Sequence, residues 1–327
     1  MRDDRPARGP GVVTGVLGPT GVGKTAVAVE LARLTGTRII SCDSMQLYRG
    51  FPVLTNQPSP DEMMAAPHAL VGCLDRAEAC TAATYASYAH PLIDEDLAAR
   101  GWALVVGGTG LYMRAALAPL DVAGDADPEL RNRLEERAGV EGPEALHAEL
   151  TRLDPAAAAR IDARNLRRVM RALESISTTG RVWSGRDDLW SPSYRHPTVV
   201  VGLTMERSEL HRRIDERAGR IVQGAVEEVR RFRKEEGEEA TEPGGPGIRS
   251  AIGYADICRY LEGGQTLEET VARVAAATRR YARRQLTWLR KVGDAVIIDV
   301  RDREPRDIAQ EILTRAASAT LDKEPLS

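Results

Sequence analysis

The chain has 327 residues, is 43% hydrophobic and 28% charged, and carries a formal net charge of −3. That length suits one large or two small domains, and the composition is that of an ordinary globular chain. No apolar run reaches the ~18 residues of a membrane helix, and a mildly acidic balance excludes a surface that coats nucleic acid throughout, while leaving room for a local basic track.

The first ten residues, "MRDDRPARGP", are polar and lack the apolar segment of a signal peptide, so they read as a frayed tail. Cys42, Cys73, Cys80 and Cys258 lack the paired CxxC spacing of a zinc site. In a long chain with no export signal they are expected to be reduced, and the protein cytoplasmic.

Val12 to Leu17 is an apolar, β-branched run that ends at a glycine, and predicts a buried strand. From Lys24 to Arg33 apolar residues recur at helical spacing. Further strands are predicted at "RIIS", at "ALVVGG" (103–108), at "TVVVGLTM" (198–205) and at "AVIIDV" (295–300), with helical patterns between them. Strands alternating with helices predict an α/β fold around a mostly parallel sheet. Residues 124–190 break that rhythm. They hold no strand signal. Asp127-Pro128 and Asp154-Pro155 read as helix starts, and "RNLRRVMRALESISTTG" as a longer helix stopped by Gly180. The expected organisation is a core of 11–123 and 191–315, an all-helical insertion of 124–190, and disordered tails at 1–10 and 316–327. The acidic, then Gly/Pro-rich stretch 235–247 reads as a solvated helix end and a loop.

Between the first strand and the first helix, Gly18-Pro19-Thr20-Gly21-Val22-Gly23-Lys24-Thr25 fits GxxxxGK[ST] at every position. Such a loop turns backbone N–H groups inward around a phosphate and adds the positive end of the following helix. Lys24 supplies a point charge to phosphate oxygens, and Thr25 a hydroxyl for Mg²⁺. The pattern does not separate a nucleotide from any other diphosphate. Asp43 follows the second strand, where ligands bind in open α/β sheets. It can hold Mg²⁺, take a proton from a nucleophile, or simply cap the next helix. After the third strand, "GGTGLY" lets backbone approach closely at Gly107 and Gly108 and sets Thr109 to donate to a phosphate; the bland reading is a plain turn. Arg164, Arg167, Arg168 and Arg171 make one arginine-dense helix face, and Arg279, Arg280, Arg283 and Arg284 another. Each alone reads as a solvated face; two together point to a polyanion.

Several segments, in order, resemble the tRNA dimethylallyltransferases, or tRNA isopentenyltransferases: "GPTGVGKT", "SCDSMQLYRG", "APHALVG", "VVGGTGLYMRAAL", "RNLRRVMRALE", "AIGYADICRYLEG" and "TRRYARRQLTWLRK". They cover most of residues 12–292. The resemblance implies a phosphate-loop core with a helical insertion, and transfer of a prenyl group from dimethylallyl diphosphate to N6 of the adenosine beside the tRNA anticodon. It implies that residues 18–25 hold the donor diphosphate, that Lys24 neutralises the departing pyrophosphate, that Thr25 helps hold Mg²⁺, and that Asp43 takes the N6 proton. It places Thr109 at a donor phosphate or a tRNA nucleotide. Against the tRNA anticodon loop it places Asp43, Ser44, Met45, Gln46, Arg131, Arg164, Asn165, Leu166, Arg167, Arg168, Arg279, Arg280, Arg283, Arg284 and Gln285. A monomer is expected. Two departures keep other acceptors open. "FPVLTNQP" resembles the eukaryotic branch and the plant adenylate prenyltransferases, and Ala255 stands where the family has a basic residue. The alternatives are therefore a free-nucleotide prenyltransferase, a small-molecule kinase, and a non-catalytic RNA-binding protein.

Overall fold

The computed structural model describes residues 11–119, 128–180, 182–183, 193–236 and 247–321. The chain divides into two compact units, Met1–Pro119 with Pro192–Ser327, and Leu120–Ser191.

In the first unit, β1 (Val12–Leu17) is buried along its whole length, as a strand paired on both edges and covered on both faces must be. Then come α1 (Lys24–Thr35), β2 (Ile39–Cys42), α2 (Pro60–Ala65), β3 (His68–Ala69), α3 (Ala82–Arg100), β4 (Trp102–Gly107) and α4 (Gly110–Leu117). The second unit contributes α5 (Pro128–Glu141), α6 (Pro143–Leu153), α7 (Pro155–Ala158) and α8 (Leu166–Thr179). The first unit resumes with β5 (Thr198–Thr204), α9 (Arg207–Glu236), a 3-10 turn at Ile248–Ser250, α10 (Tyr254–Leu261), α11 (Leu267–Leu289), β6 (Val296–Asp299) and α12 (Pro305–Leu321).

The six strands form one sheet in the order β3-β2-β4-β1-β5-β6, and every pairing is parallel. On one face α1 and α12 cover Val16, Val201 and Leu203 with Val27, Leu31, Ile308 and Ile312. Each such side chain, fully buried, contributes about 1.5–3 kcal/mol. Register decides where the site forms. Leu17 of β1 pairs with Gly107 of β4 and Gly202 of β5, and Cys42 of β2 also pairs with Gly107. β1, β2 and β4 therefore end level, with β5 running two residues further, and the loops after them open on one edge of the sheet.

The second unit builds its own core from Leu134, Leu146, Leu150, Val169 and Leu173. Asp154 caps α7 by accepting the Ala157 N–H, and Gly180 ends α8 in a left-handed conformation. Pro128 opens α5; Asp127 lies outside the described residues.

Two expectations need correction. The C-terminal tail does not begin at 316. The helix α12 runs to Leu321, and Ala316 is fully buried, because Ile308, Ile312 and Ala316 recur at helical spacing and pack on the sheet's helical layer. The sheet also has a sixth strand, β3, whose two residues are too short to show a period. The stretch 237–246 and the first ten residues lie outside the described residues.

Candidate active site

The phosphate loop hangs between β1 and α1. Gly23 is its hinge: φ is 100° there, in the left-handed region, and the residue forms the helix's N-cap. Val22, 1% exposed, pins the loop to the core below it. Lys24 folds back over the loop, its Nζ donating to the carbonyls of Gly18 and Pro19, each at 3.0 Å. Burial of the ammonium pushes its pKa down to about 8; the field of Asp43 opposes this, and Arg217 adds to it.

Beside the loop lies a cavity of about 730 Å³, within the range of small-molecule sites. Thr20, Gly21, Gly23, Lys24 and Thr25 form one wall, and Asp43, Ser44, Met45 and Gln46 another. The residues after β1 and β2 thus meet, as the level strand ends require. Asp43 caps no helix. Its Oδ1 accepts the Met45 N–H at 2.9 Å within a turn, leaving the carboxylate at the cavity wall. Gln46 is tethered: its Oε1 accepts from Ser41 Oγ at 2.9 Å and its Nε2 donates to the Asn56 carbonyl at 2.6 Å.

Thr109, expected at a donor phosphate or a tRNA nucleotide, lies behind the cavity wall. It is 7% exposed, and its hydroxyl meets Tyr281 Oη at 3.3 Å and accepts the Ser44 N–H at 3.5 Å. The cavity wall at this point is Tyr281, whose phenol pKa is raised by burial and then by Asp43. Gln285, expected among the RNA-facing residues, is 4% exposed and is bonded to the phosphate loop and to Gly108 instead.

The basic helix α11 shows its arginines unevenly. Arg280, Arg283 and Arg284 are exposed; Arg279 is paired with Asp215 of α9, and the Arg284 guanidinium lies 5.5 Å from the centre of the Tyr281 ring. In the second unit, Arg167 and Arg168 are exposed, while Arg164 pairs with Asp162 at 3.2 Å. Arg131 is held by Glu135 at 3.4 Å and by the buried Glu174 at 3.6 Å. Asn165 caps α8 by accepting the Arg168 N–H, and Leu166 packs on the unit's core. Those two residues shape the helix that carries the arginines.

Sequence reasoning missed the cations on α9. Arg213, Arg217 and Arg220 line the cavity opposite the phosphate loop. Their spacing puts them on one helix face, but in charge-rich surroundings such as "HRRIDERAGR" that face looks solvated. Burial lowers the Arg217 pKa, and Asp43 pulls it back up. The other missed residue is Glu228, 7% exposed. Its carboxylate accepts the N–H groups of Val53 at 2.7 Å and Leu54 at 2.9 Å. It thereby fixes the loop whose Leu54, Thr55, Asn56 and Gln57 line the cavity. Burial raises its pKa, against the pull of those two amides.

Among the described residues no helix is long and apolar enough to cross a membrane, and no group of three His, Cys, Asp or Glu side chains could hold a metal. The oxygen ligands lining the cavity include the Thr25 hydroxyl and the Asp43 carboxylate. That set suits a hard cation that keeps most of its water and takes ligand oxygens, as Mg²⁺ does.

Comparison with known proteins agrees with this geometry. Residues 46–292 match the IPP transferase family and residues 12–69 the isopentenyl transferase family. The tRNA dimethylallyltransferase of Thermomicrobium roseum is 44% identical over 88% of this chain and 86% of its own. That of Anaeromyxobacter dehalogenans is 44% identical over 86% and 93%. The crystal structure of the tRNA isopentenylpyrophosphate transferase from Bacillus halodurans superposes with a TM-score of 0.67, at 36% identity, over 95% of this chain and 97% of that one. A phosphate loop, a carboxylate and a bank of arginines around one cavity, in a chain this similar throughout, mark it as a member of the IPP transferase family, among the tRNA dimethylallyltransferases.

Proposed function

We propose that this chain moves a dimethylallyl group from dimethylallyl diphosphate to N6 of the adenosine beside the anticodon of tRNA and releases pyrophosphate. The observation that carries the reading is the single cavity in which the phosphate loop, Asp43 and Arg217 face one another. The bond between the allylic carbon and the diphosphate oxygen breaks, the bond from N6 to that carbon forms, and one N6 proton leaves.

An aryl amine is a weak nucleophile, so alignment of N6 with the allylic carbon does much of the work. The loop amides and Lys24 grip the diphosphate, and Arg217 and Arg220 face it from α9, so negative charge growing on the leaving group meets fixed positive charge. Asp43 accepts the N6 proton. Its Oδ1 is anchored on Met45, which orients the other oxygen. Mg²⁺, held by Thr25 with Asp43 near it, would add charge neutralisation on the diphosphate. The exposed arginines of α11 and α8 bring the polyanion, through forked contacts to its phosphates. The adenine leaves its stack to reach the cavity, which a loop nucleotide does at low cost.

The test is nucleoside mass spectrometry of unmodified tRNA after incubation with dimethylallyl diphosphate and Mg²⁺. A prenylated adenosine is expected, and its absence together with prenylation of free AMP would move the acceptor to a nucleotide. Asp43→Ala is expected to lower turnover by about 10²–10⁴-fold, the usual worth of a positioned base, with tRNA affinity kept.

A further inference from the structure

Gln285 sits in the middle of the arginine run of α11, yet its side chain points into the protein. Its Oε1 accepts the Thr20 N–H at 2.8 Å, and its Nε2 donates to the Gly108 carbonyl at 3.1 Å. Thr20 belongs to the phosphate loop after β1; Gly108 follows β4. One carboxamide therefore ties together the two loops that flank the cavity. A Cβ added to Gly108 would lie 1.9 Å from Nε2 and an ordinary 3.4 Å from the Gly18 carbonyl oxygen. Gly108 has no φ in the left-handed region, so its lack of a side chain is explained by the amide that occupies the space. One turn earlier on the same helix, Tyr281 meets Thr109. The helix thus engages Gly108 and Thr109, consecutive residues, from consecutive turns.

The chemistry is selective for glutamine. A buried acceptor and a buried donor are needed at the end of one side chain of this length, and only a carboxamide offers both. The Thr20 N–H is one of the amides a phosphate loop could turn toward an anion; here it is bonded to Gln285 instead. That bond fixes the start of the loop's arc, and the amides that follow are aimed from it.

We propose that Gln285 is a positioning residue for the phosphate loop: it holds the loop in the curvature that grips a diphosphate, and so makes that grip depend on the seating of the basic helix. The proposal rests on the function given above for the identity of the diphosphate as a prenyl donor, but not for its geometry.

Five proteins test it: wild type, Gln285→Ala, Gln285→Met, Gly108→Ala and the Gln285→Ala/Gly108→Ala double variant. Inorganic pyrophosphate affinity is measured by calorimetry, tRNA affinity by filter binding, and KM and kcat with dimethylallyl diphosphate. Loss of the two hydrogen bonds in Gln285→Ala should weaken pyrophosphate binding and raise KM roughly tenfold or more, with kcat within about threefold and tRNA affinity unchanged. Gln285→Met restores volume without the hydrogen bonds, and should lose as much as Gln285→Ala. Gly108→Ala alone should lose at least as much, and should add less than about twofold in the Gln285→Ala background, since non-additivity is the mark of a shared contact. Should Gly108→Ala fail to fold, the double variant is expected to fold. The proposal is overturned by an equal penalty for Gly108→Ala in both backgrounds, by a double variant that also fails to fold, by wild-type behaviour of Gln285→Met, or by a Gln285→Ala protein that loses tRNA affinity and keeps pyrophosphate affinity, which would make Gln285 an RNA contact. A wild type that binds pyrophosphate but prenylates nothing would sink the assigned reaction while the pyrophosphate cycle still decides the clamp. A wild type that binds no pyrophosphate would sink both.

Discussion

Removing Glu228 should loosen the cavity from behind. In Glu228→Ala the buried Leu54 N–H loses the carboxylate that accepts it, at a cost of about 1–3 kcal/mol, and the partly exposed Val53 N–H turns to water at a cost of about 0.5–1 kcal/mol. The variant no longer buries a carboxylate, which returns about 1 kcal/mol. The net loss is about 0.5–3 kcal/mol, or roughly 1–12 °C in the melting transition of the first unit, at about 2–4 °C per kcal/mol for a domain of this size. Because Leu54 to Gln57 line the cavity, KM for the prenyl donor should rise with it. The pH dependence follows from the raised pKa of Glu228. Above its ordinary value, near ~4.3, the folded chain holds this proton more tightly than the unfolded one, so the residue's contribution to stability is full below that value and declines as pH rises through the folded pKa. Calorimetric melts of wild type and Glu228→Gln, taken from neutral pH downward, should therefore separate further as the pH falls toward that window. A melting shift under 1 °C for Glu228→Ala, or curves that converge on acidification, would refute the reasoning.

Gly107→Ala would place a Cβ 1.9 Å from the Cys42 carbonyl oxygen, part of a neighbouring strand that cannot yield; a loss above about 4 kcal/mol, seen as insoluble expression or a collapsed melt, is expected. Gly139→Ala, on α5 with nothing within 4 Å of its added Cβ, should instead stabilise the second unit by roughly 0.5–1 kcal/mol in a denaturant titration. Arg217→Met removes a half-buried cation that faces Lys24 and Asp43; pyrophosphate affinity should drop about ten- to a hundredfold in calorimetry while the melting temperature holds, since the cost of burying the charge goes too.

Local signals carried much of the fold. The apolar run 12–17, the glycine pattern after it and the helical period from Lys24 predicted β1, the phosphate loop and α1 where the structure has them. The level ending of β1, β2 and β4 is a matter of register between segments far apart in the chain, and no local pattern encodes it. Arg217 and Glu228 show why a site is harder to read than a strand. Both lie on a long helix rich in charge, where a residue facing the cavity has the same neighbours in sequence as one facing solvent. Gln285 was hidden the other way: its arginine neighbours suggested an RNA-facing surface, whereas helical geometry turns it some hundred degrees from Arg284 and into the core. The short strand β3 and the last turn of α12 were lost to brevity and to an alanine-rich composition that resembles a tail.

The carbonyl of Leu117, at the end of α4, accepts the N–H of Arg195 at 2.9 Å. Everything between those two residues is a single excursion whose ends are already stapled by the α/β core. Such an excursion can lengthen or shrink at small cost, since the entropy of closing a loop changes by only about 0.6 kcal/mol for each doubling of its length. The helical unit is therefore a cassette. Its size and surface can drift in evolution, or be exchanged in the laboratory, without disturbing the order of the sheet strands, and the α/β core and the helical unit can be tuned as separate parts.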